Sequence, residues 1–232
     1  MSIVLRSRRG PVGTAWHAIA LRDGAERLLG PARVGRGKAD ARAGRVQWLD
    51  VDTGAARGDV LDADGELYQA RLGLPALRAE ARRAFLQVAR AHPELPARLA
   101  AGEYPQQIEA ELAASEVSLL PRDAAELSHD CSCLDWPGPC RHVSALLYVL
   151  VEAVDDRPAL LLTLRGLALE DLVAPREPKP APDPGADEEP PGAAAAAQPA
   201  AFDPARTDPA RLAEVVGEEV AAVIHSFYTG PA

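Results

Sequence analysis

The chain has 232 residues, 47% of them hydrophobic and only 4% aromatic, with a formal net charge of −9. That is enough for one sizeable core plus tails. No stretch reaches the roughly 20 apolar residues that a membrane-spanning helix needs, so no membrane partner is expected. The charge is unevenly spread: residues 1–45 carry a net +7, 46–174 a net −10 and 175–232 a net −6.

Taken in chain order, residues 1–30 contain Trp16 and His17 but no clear periodicity, and their place in the fold stays open. The arginines Arg6, Arg8 and Arg9 are not followed by a long apolar run, so the stretch does not read as a signal peptide. With free thiols and no export signal, a cytoplasmic location is expected. A globular domain is expected over 31–173. It opens with a helix from Ala32 to Arg45, ending at Gly44, that brings Arg33, Arg36 and Arg42 near one another. The Gly35-Arg-Gly37 stretch is not a dinucleotide loop, because no strand precedes it and position 40 is Asp.

Three strands follow: Arg45–Val51, Asp59–Ala63 and Leu67–Leu72, with Asp64-Gly65 as a hairpin turn. Asp62-Ala-Asp64-Gly65-Glu66 lacks the longer ligand series of a calcium loop and reads as part of that turn. Helical spacing begins after Pro75 with Leu77, Ala81, Ala84, Phe85 and Val88. Shorter helices are expected from Leu95 to Ala101 and from Pro105 through Ile108 and Leu112. His92 and His129 read as surface or capping residues.

The stretch Cys131-Ser-Cys133-Leu-Asp-Trp-Pro-Gly-Pro-Cys140-Arg-His142 holds every cysteine of the chain. Residues two apart on an extended chain point the same way, so Cys131 and Cys133 can aim both sulfurs at one point. Cys140 and His142 can do the same at the start of the next helix, and Pro-Gly-Pro between the pairs favours a reversal. A disulfide framework wants an even count and a secreted context, and a thioredoxin-like site wants Cys-x-x-Cys. Three thiols and one imidazole suit a single Zn2+ in a closed tetrahedral shell, with no position left for water. The expected site is structural. Trp136 is expected to cover it, and Arg141 or His129 to offset part of its negative charge.

At these residues the chain resembles the SWIM zinc finger, whose pattern is Cys-x-Cys, a short spacer, then Cys-x-His. The Asp135-Trp136 pair, the basic Arg141 between the last two ligands and the helix after His142 are similar to bacterial members. The resemblance runs from about Gly35 to about Val173, with the finger at about 128–145. Family members often carry a more Trp-rich N-terminal segment, to which only Trp16 corresponds here. The resemblance implies zinc binding together with DNA-binding or protein-interaction roles. It places such modules beside or within helicase-like ATPases of the Swi/Snf type and in Mutator-type transposases.

Past the finger, Val143, Leu146, Leu147, Leu150, Val151 and Val154 form one apolar stripe, so this helix packs into the core. Glu152, Asp155 and Asp156 at its end read as a solvated terminus. Pro158 to Leu164 is expected to be another buried helix. Residues 174–207 are a Pro/Ala/acidic linker by composition, and 208–232 an amphipathic helix carrying Leu212, Val215, Val216, Val220, Val223, Ile224 and Phe227.

The expected fold is α+β, a small antiparallel sheet with helices and a zinc finger leading into a helix. No nucleophile elbow, phosphate loop, open metal site or acid–base pair is visible, so a non-enzymatic module without a small-molecule substrate is expected. The expected partner is a helicase-like ATPase of the Swi/Snf type. The alternative is direct DNA binding through Arg141 and the basic arm of Arg33, Arg36 and Arg42. The net −10 over residues 46–174 leans against that alternative, because it repels phosphates.

Overall fold

A computed structural model of the chain describes residues 3–135 and 138–173. The linker and the C-terminal helix expected from the sequence lie outside the described residues, as does Trp136. Within them the fold is α+β, with seven α-helices and one four-stranded antiparallel sheet in the order β1-β2-β3-β4.

Helix α6, Arg141–Asp156, is the centre. The sequence suggested one apolar stripe, yet the helix also buries Ser144, Ala145, Tyr148 and Val149. Helices α1 (Trp16–Leu29), α2 (Pro31–Arg42) and α7 (Ala159–Leu164) pack against it, as do strands of the sheet. A helix surrounded in this way is apolar all round, and the polar groups it keeps must find partners. Ser144 Oγ donates to Cys140 O at 2.9 Å, and Tyr148 Oη donates to Glu26 at 2.7 Å.

The approach of α2 to α6 depends on Gly37. A Cβ there would come closer than 3.0 Å to Ala145 N and to the Ser144 backbone. Gly35, two residues earlier on the same helix, has open space around it. Pro31 occupies the first turn of α2, where its missing N–H costs nothing.

Residues 3–30 carry core side chains. Ile3 N donates to Val46 O at 2.7 Å, and Leu5, Val12, Ala18, Leu21 and Ala25 are buried. The acids at the end of α6, expected as a solvated terminus, bind the N-terminal segment. Glu152 accepts the amides of Arg6 and Ser7, while Asp155 accepts those of Thr14 and Ala15. Asp155 thereby places a carboxylate at the start of α1, where a helix favours negative charge.

The sheet differs from the expected strands. β1 is only Asp50–Asp52, and the residues before it contribute a single bridge, Val46 to Val60. β2 begins earlier than expected, at Ala55–Leu61, where pairing with β1 and β3 extends it; its inward Ala56 and Gly58 are small. A Cβ on Gly58 would meet Leu146 Cδ1 of α6 at 2.9 Å. β3 spans Leu67–Gly73 and pairs with β4, Ser128–Cys131, a strand that carries no apolar alternation in the sequence. Strand β4 delivers the chain into the cysteine stretch. Between β3 and β4, helices α3 (Ala79–Ala91), α4 (Leu95–Ala100) and α5 (Gln106–Ala113) bury Phe85, Leu95, Leu99, Ile108 and Leu112.

Candidate metal centre

Two elements bring the four candidate ligands together. β4 carries Cys131 at its end, and a turn follows in which Ser132 N donates to Gln69 O at 3.0 Å while Gln69 N donates to Ser132 Oγ at 2.9 Å. These bonds fasten the Cys-x-Cys turn to β3. Leu134 then adopts a left-handed φ of 55° and stands 86% exposed at the tip of the loop.

The second pair belongs to α6. Cys140 is its N-cap residue, and its Sγ accepts the Val143 N–H at 3.5 Å. His142 is the second residue of the helix, in its first turn, and 4% exposed. One ligand atom from each of Cys131, Cys133, Cys140 and His142 lies within 4.8 Å of the others. A tetrahedron with Zn–S bonds of about 2.3 Å has edges of about 3.8 Å, so this grouping suits one ion.

The electrostatics also fit a dication. The Cys131 thiol, His142 and the Val143 amide favour a thiolate at Cys140, pushing its pKa down to about 3. Cys131, hydrogen-bonded to that sulfur and buried beside it, is pushed up. Burial likewise raises Cys133. Three crowded thiols therefore resist losing all their protons, and a bound dication removes that resistance. Backbone N–H groups are in place for the charged sulfurs: Cys133 N favours the thiolate of Cys131, and Asp135 N that of Cys133.

The histidine is held on both sides. Its Nδ1 lies 3.7 Å from Cys131 Sγ, and its Nε2 lies 3.1 Å from Asp62 Oδ2. Tyr68 stacks on the ring with centroids 4.6 Å apart and planes at 11°. Tyr68 Oη in turn donates to Asp64 at 2.9 Å. Both Asp62 and Tyr68 belong to the β2–β3 hairpin. The sequence marked that hairpin as a turn and gave neither residue a role at the metal. Alternation along β3 could have shown which face Tyr68 takes, but not that the face meets His142. His129 is not among the four; its ring sits where a Cβ on Gly138 would go.

The basic residues divide. Arg141 makes a bidentate pair with Asp40, both bonds 2.7 Å, and reaches Asp62 at 3.3 Å. Arg45 also reaches Asp40 and Asp62, each at 3.3 Å. Arg42 donates to Ser7 O at 2.9 Å and to Gly10 O. Arg141 and Arg42, read from the sequence as contact residues, thus spend their guanidinium groups on other parts of the fold. Arg36 is exposed on α2. Arg33 lies in the first turn of the same helix, with its side chain outside the described residues.

Residues 116–150 match the family model of the SWIM zinc finger. The chain carries a SWIM zinc finger. Its Cys-x-Cys pair is set by β4 and its Cys-x-His pair by the start of α6, so the SWIM finger is continuous with the core. The Cys/His cluster can bind one metal ion, consistent with a structural Zn2+. A protein of Mycobacterium tuberculosis named Uncharacterized protein Rv2102 is 36% identical over 175 residues, covering 74% of this chain. The match spans 62% of that relative's length. No solved structure matches the chain. No helix among the described residues is long and apolar enough to cross a membrane.

Proposed function

We propose that this SWIM-containing chain is a non-enzymatic protein-interaction module that engages a Swi/Snf-type helicase-like ATPase in DNA transactions. The observation that supports an interaction role is the open face of the sheet. Helix α6 covers one side, and the other presents Trp48 at 41% exposure and Leu67 at 55%, with Leu61 paired to Leu67 across the strands. Arg57 and Arg71 stand directly opposite each other on that side, and neither has an ion-pair partner among the described residues. Like charges placed opposite each other are unfavourable in an isolated sheet. Asp130 stands opposite Arg71 on β4 without an ion pair among the described residues, and a partner carboxylate would relieve what remains, chiefly at Arg57. Trp48, Arg57 and Arg71 line one groove of about 340 Å³ together with Asp59 and Asp130. Those acids oppose a polyanion and suit a protein surface of mixed charge. The choice of ATPase rests on the resemblance to SWIM proteins.

The test pairs the purified chain with helicase-like ATPases of its own organism in a calorimetric titration. Wild type should bind one of them, and Trp48→Ala with Leu67→Asp should abolish the heat while leaving the fold intact by circular dichroism. Labelled duplex and single-stranded DNA should show no anisotropy change even at low salt. Salt-sensitive DNA binding that Arg36→Ala weakens, with no ATPase bound, would overturn this reading in favour of direct DNA binding.

A further inference from the structure

We propose that Asp62 is a positioning residue for the metal. Its carboxylate takes the Nε2–H of His142 and so presents Nδ1 to the ion. The geometry carries this. Nδ1 is the ring nitrogen on the side of the sulfurs, 3.7 Å from Cys131 Sγ. Nε2 is sealed from solvent on the other side and makes no hydrogen bond as it stands; the Asp62 oxygen lies 3.1 Å from it, within bonding distance but outside bonding angle, so a small turn of the ring or carboxylate completes the bond. Neutral imidazole has one N–H and one lone pair, so fixing the proton on Nε2 leaves the lone pair on Nδ1 for the metal. A carboxylate behind a metal-bound histidine sets both tautomer and ring orientation. The ring is further held by the Tyr68 stack.

Asp62 is itself held, which separates it from a mobile surface acid. Its side chain is 19% exposed, and its other oxygen lies 3.3 Å from both Arg45 and Arg141. Its backbone closes the hairpin, with Asp62 N donating to Glu66 O and Gly65 N donating to Asp62 O. Both arginines also reach Asp40 on α2, which is 4% exposed. The metal's histidine is thereby tied through one carboxylate to the hairpin, and through two arginines to α2.

The full chain loaded with 113Cd2+ and labelled with 15N tests the assignment without any substitution. Scalar coupling from cadmium should reach Nδ1 of His142, with the proton on Nε2. Coupling to Nε2 overturns the proposal. Three variants then separate positioning from general stabilisation, with zinc affinity read by chelator competition and the shell read from the Co2+ spectrum. Asp62→Leu should weaken zinc about 10- to 100-fold, the usual range for such outer partners. Asp62→Asn, which keeps an acceptor oxygen, should recover most of that loss. Asp40→Asn disturbs the same arginines without touching His142 and should stay near wild type. Wild-type affinity in Asp62→Leu, or an equal loss in Asp40→Asn, overturns the positioning role. A wild-type chain that takes up no cobalt overturns the metal site itself, a result distinct from either.

Discussion

The contact between α2 and α6 makes a sharp test, because two glycines of one helix are predicted to respond in opposite senses to the same substitution. In a helix interior, Gly→Ala is favourable by about 1 kcal/mol from backbone entropy alone. At Gly35 nothing lies within 4 Å of the new Cβ, so Gly35→Ala should realise most of that gain. At Gly37 the Cβ would lie closer than 3.0 Å to backbone atoms of Ser144 and Ala145. Those atoms belong to the first turns of the core helix, just after His142, and cannot rotate aside as a side chain would. The helices must separate, and overpacking of this kind costs typically 1–3 kcal/mol and occasionally more. Backbone atoms place Gly37 at the upper end, so Gly37→Ala should be a net loss of about 2 kcal/mol. Thermal unfolding of the zinc-loaded chain should move by about 2–4 °C per kcal/mol, up for Gly35→Ala and down for Gly37→Ala. Gly37→Ala at or above wild-type stability, with Gly35→Ala behaving as described, would refute the close approach of the two helices.

Three further outcomes follow from the packing. His17 is 1% exposed, with one ring nitrogen 3.2 Å from Val154 O and the other without a partner, and burial lowers its pKa. The unfolded chain therefore takes up a proton first: stability present above about pH 6.5 is lost as the pH falls toward the folded value. Urea titrations from about pH 7.5 to 5 should show a loss that His17→Gln reduces, and identical pH slopes would refute it. Arg165, 4% exposed, donates to Leu119 O, Leu120 O, Pro75 O and Glu126; Arg165→Met should cost about 3–5 kcal/mol in urea unfolding, since it strands three carbonyls and leaves Glu126 with Arg122 alone. A cost below about 1 kcal/mol would contradict that burial argument. Removing the metal by chelation should speed amide exchange at Cys131–Leu134 and in the first turn of α6. Leu146 to Val154 should stay protected, because α1, α2 and the sheet bury them without the metal. Uniform exchange along the whole helix would show that the metal holds all of α6.

The finger itself was legible in the residues, because its chemistry is local. Four ligands within twelve positions declare a metal by their type and spacing alone. The apolar spacing of α3, α5 and α6 likewise marked helices, since helical period depends only on neighbours along the chain. What the chain order hides is where separate stretches meet. β4 has no apolar alternation, because its order comes from pairing with β3. Helix α1 shows little periodicity, and its first turn depends on Asp155, some 140 residues away in the chain. Ala55 to Leu61 did not read as a strand from its start, since its inward Ala and Gly are small to admit Leu146.

At the metal the division is the same. The sequence determined Cys131, Cys133, Cys140 and His142, because ligand identity is a property of the residues. Only the tertiary structure decided that Asp62 and Tyr68 complete the surroundings of His142, and that Arg141 pairs with Asp40 while Arg42 bonds the Ser7 and Gly10 carbonyls. Those roles depend on a hairpin and two helices converging in space, and such convergence is set by the packing of the whole core around α6.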